Sequence, residues 1–248
     1  MNYKALILDL DGTTIPNTPD GMPTRGVISA IAHASKVIHI SIATGRPKYR
    51  TEAILKALSL SGPCILSNGT QLYDPKKQKM LQEKILPRSV IPNVFKLLNR
   101  HDGVIYIFDG VTEQLFHGES VPGRTLSLFM ERLTPDAASE IENGIAGIPE
   151  LASHKIVSWE KGYQCIEVTH RDATKLHGIV EIAKILGIET HEMIGVGDGY
   201  NDFPLLMACG LKIAMGNAVP ELKAIADFIA PSVDQDGVKT IIEKFVLT

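Results

Sequence analysis

The sequence predicts an α/β protein: a parallel-sheet core interrupted by an inserted α+β module. Three observations carry the prediction. Short apolar strands alternate with amphipathic helices over the first third of the chain and again from Thr174 onward, the pattern of a parallel sheet covered by helices. Between these stretches the texture changes to strand pairs around glycine turns. Three polar clusters also fall just after strands of the first kind, where open parallel sheets bind ligands.

Taken in order, Lys4 to Leu10 reads as a buried strand. Arg25 to Ser35 has Val27, Ile28, Ile31 and Ala32 at helical spacing. Val37 to Ala43 is a second strand, Tyr49 to Leu58 a helix, and Cys64 to Leu66 a short strand before Asn68-Gly69. Pro75 to Lys79 is a polar turn region. Val90 to Asn99 reads as a helix. A hairpin is expected for Val104 to Phe108 with Glu113 to Phe116, around Asp109-Gly110. A helix over Ala137 to Asn143 precedes a second hairpin, Lys155 to Trp159 with Tyr163 to Thr169, around Lys161-Gly162. Alternation then returns. Lys175 to Leu186 is a helix stopped by Gly187. Met193 to Val196, Leu211 to Ala214 and Phe228 to Ala230 are strands; Asn201 to Ala208, Pro220 to Ala226 and Val238 to Val246 are helices. The expected division is a core of residues 1–80 and 174–248 with a module at 81–173.

The first strand runs into Asp9-Leu10-Asp11-Gly12-Thr13. Two carboxylates at the end of a greasy strand are poor packing: near 4 Å, like charges repel by about 4 kcal/mol at an effective dielectric of 20. A bound cation rewards that arrangement, as does chemistry that uses one carboxylate as nucleophile and another as acid and base. The second cluster is Thr44-Gly45-Arg46 and the third Gly197-Asp198-Gly199-Tyr200-Asn201-Asp202. Asp198 and Asp202 are four apart, so a helix beginning at Asn201 would turn both towards one point near its N-terminus. That is a half-site for a hard cation such as magnesium. Any one cluster alone reads first as a turn, because Asp, Asn and Gly are ordinary turn residues, whereas three on one sheet edge point to a site.

Other classes are excluded. Net charge is −3 with no basic stripe, so no nucleic-acid surface is expected. No apolar run approaches the roughly 20 residues of a membrane span, and no signal peptide is read. Gly195-Val196-Gly197 lacks the third glycine of a dinucleotide loop, that position being Tyr200. Cys64, Cys165 and Cys209 read as buried free thiols, which with 44% hydrophobic residues fits a soluble, cytoplasmic protein.

The four motifs, Asp9 to Thr13, Ala43 to Arg46, Lys175, and Gly197 to Asp202, together resemble the haloacid dehalogenase-like phosphatases. The branch is the Cof type, with a type IIB cap. Asn68-Gly69, Gly216-Asn217-Ala218 and Asp236-Gly237-Val238 extend the resemblance over essentially the whole chain. Only 32 residues separate Asp11 from Thr44, whereas 130 separate Thr44 from Lys175, so the cap belongs in the second interval. Two positions depart from the family pattern: Thr14 replaces a large apolar residue, and Leu176-His177 stand between Lys175 and Gly178.

The resemblance implies a Rossmann-like core and a magnesium-dependent phosphatase acting on a small phosphate monoester, a sugar phosphate or a phosphoglycolate-like compound. It implies Asp9 as nucleophile and Asp11 as acid and base. Magnesium would be held by Asp9, the Asp11 carbonyl, Asp198 and Asp202, and phosphoryl oxygens by Thr44, Lys175, Asn201 and amides near Gly12 and Gly45. Rival readings are a phosphomutase or phosphotransferase on the same scaffold and a non-catalytic phosphate sensor. The expected partner is a small phosphorylated metabolite, for a monomer or small homo-oligomer. Asp109, Trp159 and Lys161, near the hairpin turns, are candidates for selecting the leaving group.

Overall fold

The computed structural model describes residues 3–60, 62–118 and 120–247. The first stretch runs β1 (Ala5–Leu8), α1 (Arg25–Ala34), β2 (His39–Ile42), α2 (Lys48–Leu58), β3 (Cys64–Leu66), β4 (Gln71–Asp74) and β5 (Lys79–Glu83). Then come α3 (Ile91–Leu98), β6 (Val104–Phe108), β7 (Glu113–Leu115), β8 (Ser127–Leu133), α4 (Pro135–Ala146), β9 (Leu151–Val157) and β10 (Gln164–His170). The chain closes with α5 (Lys175–Leu186), β11 (Met193–Gly197), α6 (Phe203–Ala208), β12 (Leu211–Ala214), α7 (Pro220–Ile225), β13 (Phe228–Ile229) and α8 (Gly237–Phe245).

The parallel sheet has the order β13-β12-β11-β1-β2. Its middle strands are apolar on both faces because helices cover both, and every residue of β1 is buried. A parallel bridge from Ala43 to Ile65 brings β3 beside β2, and β3 begins an antiparallel meander with β4 and β5. The second five-stranded sheet, β7-β6-β8-β10-β9, is antiparallel throughout. Two hydrophobic cores result. One gathers residues from 5–73 and 179–242 around the parallel sheet. The other, from 86–168, gathers α3 and α4 against one face of the antiparallel sheet, through Val94, Leu98, Ile141, Ile107, Leu128, Met130 and Ile166.

Several expectations are corrected. In α1 the buried positions are Val27, Ala30, Ile31 and Ala34, while Ala32 is exposed. The polar turn at 75–79 is the tip of a hairpin, β4–β5, whose strands the apolar pattern does not mark. Strand β8, central to the second sheet, was also unread. The third polar cluster ends in a 3-10 turn, Tyr200–Asp202, and α6 begins at Phe203 rather than at Asn201. Cys64, Cys165 and Cys209 are buried free thiols, as expected. Among the described residues no helix is long and apolar enough to cross a membrane.

Candidate active site

The C-terminal ends of β1 and β11 lie side by side and carry the carboxylates. Asp9 follows β1 directly; its amide donates to the Val196 carbonyl at 3.0 Å, and its own carbonyl accepts the Thr14 hydroxyl at 2.5 Å. Thr14 thus supplies a hydrogen bond at a position where the family pattern has an apolar side chain. Oxygens of Asp9, Asp198 and Asp202 all lie within 4.8 Å of one another. Lys175 enters this cluster as the first residue of α5. Its helix starts there because the Thr174 hydroxyl caps it, accepting from the His177 amide at 3.3 Å, so the intervening Leu176-His177 leave the lysine in place. The Lys175 ammonium is fully buried and donates to Asp9 Oδ1 and Asp202 Oδ1, both at 2.6 Å.

Three carboxylates around one ammonium leave the pocket electron-rich. Burial, then the neighbouring Asp202 charge, raises Asp9 well above the usual carboxylate range against the pull of Lys175. Burial and Asp202 push Asp198 up to about 8. Burial alone would lower Lys175, but Asp202 and Asp9 outweigh it and hold the ammonium charged. An all-oxygen donor set with excess negative charge suits a small hard divalent cation. Asp202 is the most occupied of the three. Its Oδ1 takes Lys175, and its Oδ2 accepts the Asp198 and Gly199 amides, each at 2.9 Å. Those bonds shape the loop that presents Asp198.

Gly12 contributes room. Its φ is +75°, and a Cβ there would stand 2.1 Å from Asp198 Oδ2. Its amide, expected to face a phosphoryl group, instead donates to the Ile15 carbonyl at 2.9 Å. Asp198 is oriented by the Thr13 hydroxyl at 3.0 Å and by Asn217 Nδ2 at 3.3 Å, which also donates to the Gly12 carbonyl at 2.8 Å. Both residues lie within recognised motifs, but sequence alone gave neither a role.

The second cluster departs most from expectation. Thr44 is fully buried, and its hydroxyl accepts the Arg46 amide at 3.0 Å, under the cavity floor. Gly45 and Arg46 reach the cavity. Arg46 grips the Asp11 carboxylate with two bonds, Nε to Oδ2 at 2.8 Å and Nη2 to Oδ1 at 2.5 Å. It also donates to the Thr18 and Pro19 carbonyls. Asp11 is therefore held in an ion pair, which must open before its carboxyl can exchange a proton with a substrate. Trp159, the one tryptophan of the chain, lies just beyond β9 over that guanidinium, 5.4 Å from its ring centroid.

Asn201 donates to Asn68 Oδ1 at 3.0 Å, and Asn68 Nδ2 donates to Glu167 Oε2 at 2.7 Å. Ser67 and Asn68 adopt left-handed φ of 45° and 52°, a local cost of roughly 1–3 kcal/mol each, and Asn68 is then aimed across the sheets. Next to them Gly69 is obligatory, since a Cβ would meet the Thr174 carbonyl at 2.4 Å. Glu167 is buried on β10; burial raises its carboxyl to about 7 against the bond from Asn68. The clue to it was an acid inside the apolar run Cys165-Ile166-Glu167-Val168. Beside these groups lies a cavity of about 240 Å³, lined by Asp9, Asp11, Asp198 and Asn201 at one end and by side chains of the second sheet at the other. Of the turn candidates, Trp159 lines it. Asp109 does not; its carboxylate caps its own turn through the Val111 and Thr112 amides, and Lys161 is an exposed turn residue outside the lining.

Comparison with known proteins agrees with this geometry. The family model for haloacid dehalogenase-like hydrolases matches residues 6–120 and 122–242, and the chain belongs to that family. It is 27% identical over 248 residues to a phosphoglycolate phosphatase of Methanobrevibacter smithii, covering 100% of both chains. It is 29% identical over 244 residues to an HMP-PP phosphatase of Serratia proteamaculans, covering 90% of this chain and 87% of that one. In fold it is similar to a haloacid dehalogenase subclass IIB sugar phosphatase, with TM-score 0.80, 22% identity and 99% and 100% of the two chains covered. A haloacid dehalogenase-like hydrolase of B. subtilis superposes with TM-score 0.82 at 20% identity, covering 97% and 99%.

Proposed function

We propose that this hydrolase is a magnesium-dependent phosphatase that cleaves a small phosphate monoester, a sugar phosphate or a phosphoglycolate-like compound, through a phosphoryl group carried on Asp9. The observation that supports it best is the buried Lys175 ammonium bridging Asp9 and Asp202 at 2.6 Å, beside Asp198 and beneath the cavity. An ammonium there holds Asp9 in one rotamer and leaves its second oxygen for phosphorus. Asp9, Asp198 and the Asp11 carbonyl would hold the ion, with Asp202 acting through water because both its oxygens are hydrogen-bonded. Magnesium supplies charge neutralisation and phosphate orientation when bound.

The residues divide the work. An Asp9 oxygen attacks phosphorus, and the bond from phosphorus to the substrate oxygen breaks. Asp11, released from Arg46, gives that oxygen its proton. The same carboxylate then takes a proton from water as the water oxygen attacks phosphorus, which frees Asp9 and inorganic phosphate. Lys175 and Asn201, with the backbone at Gly45, meet charge on the phosphoryl oxygens, where electrostatic stabilisation is most effective. Thr44 acts from below by fixing the Arg46 backbone. Residues 81–173 form the cap that covers the leaving group, and the partner is the small phosphorylated metabolite itself, taken by a monomer or small homo-oligomer. Phosphate release from an aryl phosphate, with and without magnesium, tests the reading. Release must require both the metal and Asp9, and undiminished release from Asp9→Asn would overturn it.

A further inference from the structure

The far half of the cavity has a composition that bears on the leaving group. Its wall is one face of the antiparallel sheet. Strand register puts Tyr106 opposite Phe129 and Phe129 opposite Glu167, with Glu131 two residues along β8 from Phe129. The other face of the same sheet is packed under α3 and α4, so these four side chains are the outward ones. All four line the cavity. Tyr106 and Phe129, with Trp159 at the rim, give flat apolar surface, and Glu131 and Glu167 give acceptor oxygens.

Cations at this end are already engaged. Among the described residues only Arg46 and Arg50 bring positive charge to the lining. Arg46 is paired with Asp11 and two carbonyls. Arg50 Nη2 lies 3.2 Å from Glu113 Oε2, and its Nε donates to the Tyr49 hydroxyl. Glu131 and Glu167 each accept a neutral donor, the Tyr106 hydroxyl at 3.1 Å and the Asn68 amide at 2.7 Å. Arg50 feels the Glu131 charge, but its closest carboxylate is that of Glu113. Arg50 is already paired with Glu113, and Arg46 stands at the Asp11 end, so an anionic leaving group lying on this sheet would meet the Glu131 carboxylate without a counter-ion of its own, and like charges brought together in that way disfavour binding. A hydroxylated or amine-bearing one would satisfy the same oxygens and lay its carbon skeleton on the aromatic rings.

We infer that the cavity selects an uncharged or cationic, donor-bearing alcohol as leaving group and rejects a carboxylate-bearing one, with Glu131 and Glu167 as the specificity-determining acceptors. The inference rests on the phosphatase reading and chooses between its two substrate classes, favouring the polyol over the glycolate-like ester.

The test compares glycerol 3-phosphate with 3-phosphoglycerate, which differ by CH2OH against COO−, alongside an aryl phosphate, all with magnesium. Wild type should favour the glycerol ester by about tenfold or more in kcat/KM, or in inhibition constant against the aryl phosphate if turnover is slow. Glu131→Gln should narrow that ratio, and Glu131→Lys should narrow it further or invert it. Equal or better use of 3-phosphoglycerate by an enzyme active on the aryl phosphate would overturn the inference and leave the phosphatase reading standing. A ratio unmoved in both Glu131 variants would remove Glu131 as a determinant. Loss of magnesium-dependent release from every ester would overturn the phosphatase reading, and the inference with it.

Discussion

Replacing Lys175 by Met tests the electrostatic design at its centre. Met keeps an unbranched chain of similar length and removes the charge together with its two hydrogen bonds. Lys175 is fully buried, and its ammonium is 2.6 Å from both Asp9 Oδ1 and Asp202 Oδ1. Without it, carboxylates whose oxygens lie within 4.8 Å face each other directly. At that separation and an effective dielectric of 20, one such pair repels by about 3–4 kcal/mol. Breaking a buried ion pair by removing one partner costs about 3–5 kcal/mol, which agrees. At about 2–4 °C per kcal/mol for a chain of this size, the variant should melt about 10 °C below wild type in chelator-containing buffer at pH 7.5. The deficit should shrink as the pH falls, because the orphaned carboxylates then take up protons. It should also shrink when magnesium is added, since a divalent cation supplies the missing charge. Thermal unfolding followed by circular dichroism reads all three conditions. A melting temperature within about 1 °C of wild type in chelator would refute the reasoning, because it would mean the ammonium is not needed to hold the acids together.

Three other outcomes are expected. Gly12→Ala places a Cβ 2.1 Å from Asp198 Oδ2 at a φ of +75°, so phosphatase activity should fall by about a hundredfold, read from phosphate release at saturating magnesium; a loss under threefold would contradict the close approach. Trp159 is the only tryptophan and lies over Arg46, so its fluorescence should respond to a phosphate analogue in wild type and lose that response in Arg46→Ala; an unchanged response would uncouple the two residues. Glu167 is raised from 4.5 to about 7, so its native state holds a proton that the unfolded chain releases. The resulting stability is present below pH 4.5 and lost as the pH rises through about 7, by at most about 3 kcal/mol. Urea titrations from pH 5 to 8 should show a shallower decline in Glu167→Gln than in wild type, and parallel curves would exclude Glu167 as the cause.

What the sequence disclosed follows from physics that is local or strictly periodic. The strands of the parallel sheet are buried on both faces, so β1 reads as an unbroken apolar run, and the acids after β1 and β11 meet because the two strands pair in register. Helix α5 was legible from Lys175 to Leu186, with Gly187 as its stop. Strand β8 was not, because its alternation breaks where Arg132 adopts a φ of 63° and its pairing with β10 shifts register between Gln164 and Ile166. Strands β4 and β5 were hidden by polarity: Gln71 and Asp74 are buried, and Gln71 Nε2 donates to Glu83 and to the Gly110 carbonyl. The Arg46 grip on Asp11 could not be read, since a spacing of 35 residues fixes neither rotamer. The chain Asn201–Asn68–Glu167 needed two left-handed residues to aim it, and no periodicity reports such a turn.

The central claim is that Asp9 carries the phosphoryl group. Acid quenching during turnover of an aryl phosphate with magnesium, then peptide mapping by mass spectrometry, tests it directly. The expected result is one phosphoryl group on the peptide containing Asp9 in wild type and none in Asp9→Asn. Phosphate release without any phosphorylated Asp9, in a quench fast enough to precede hydrolysis, would contradict it.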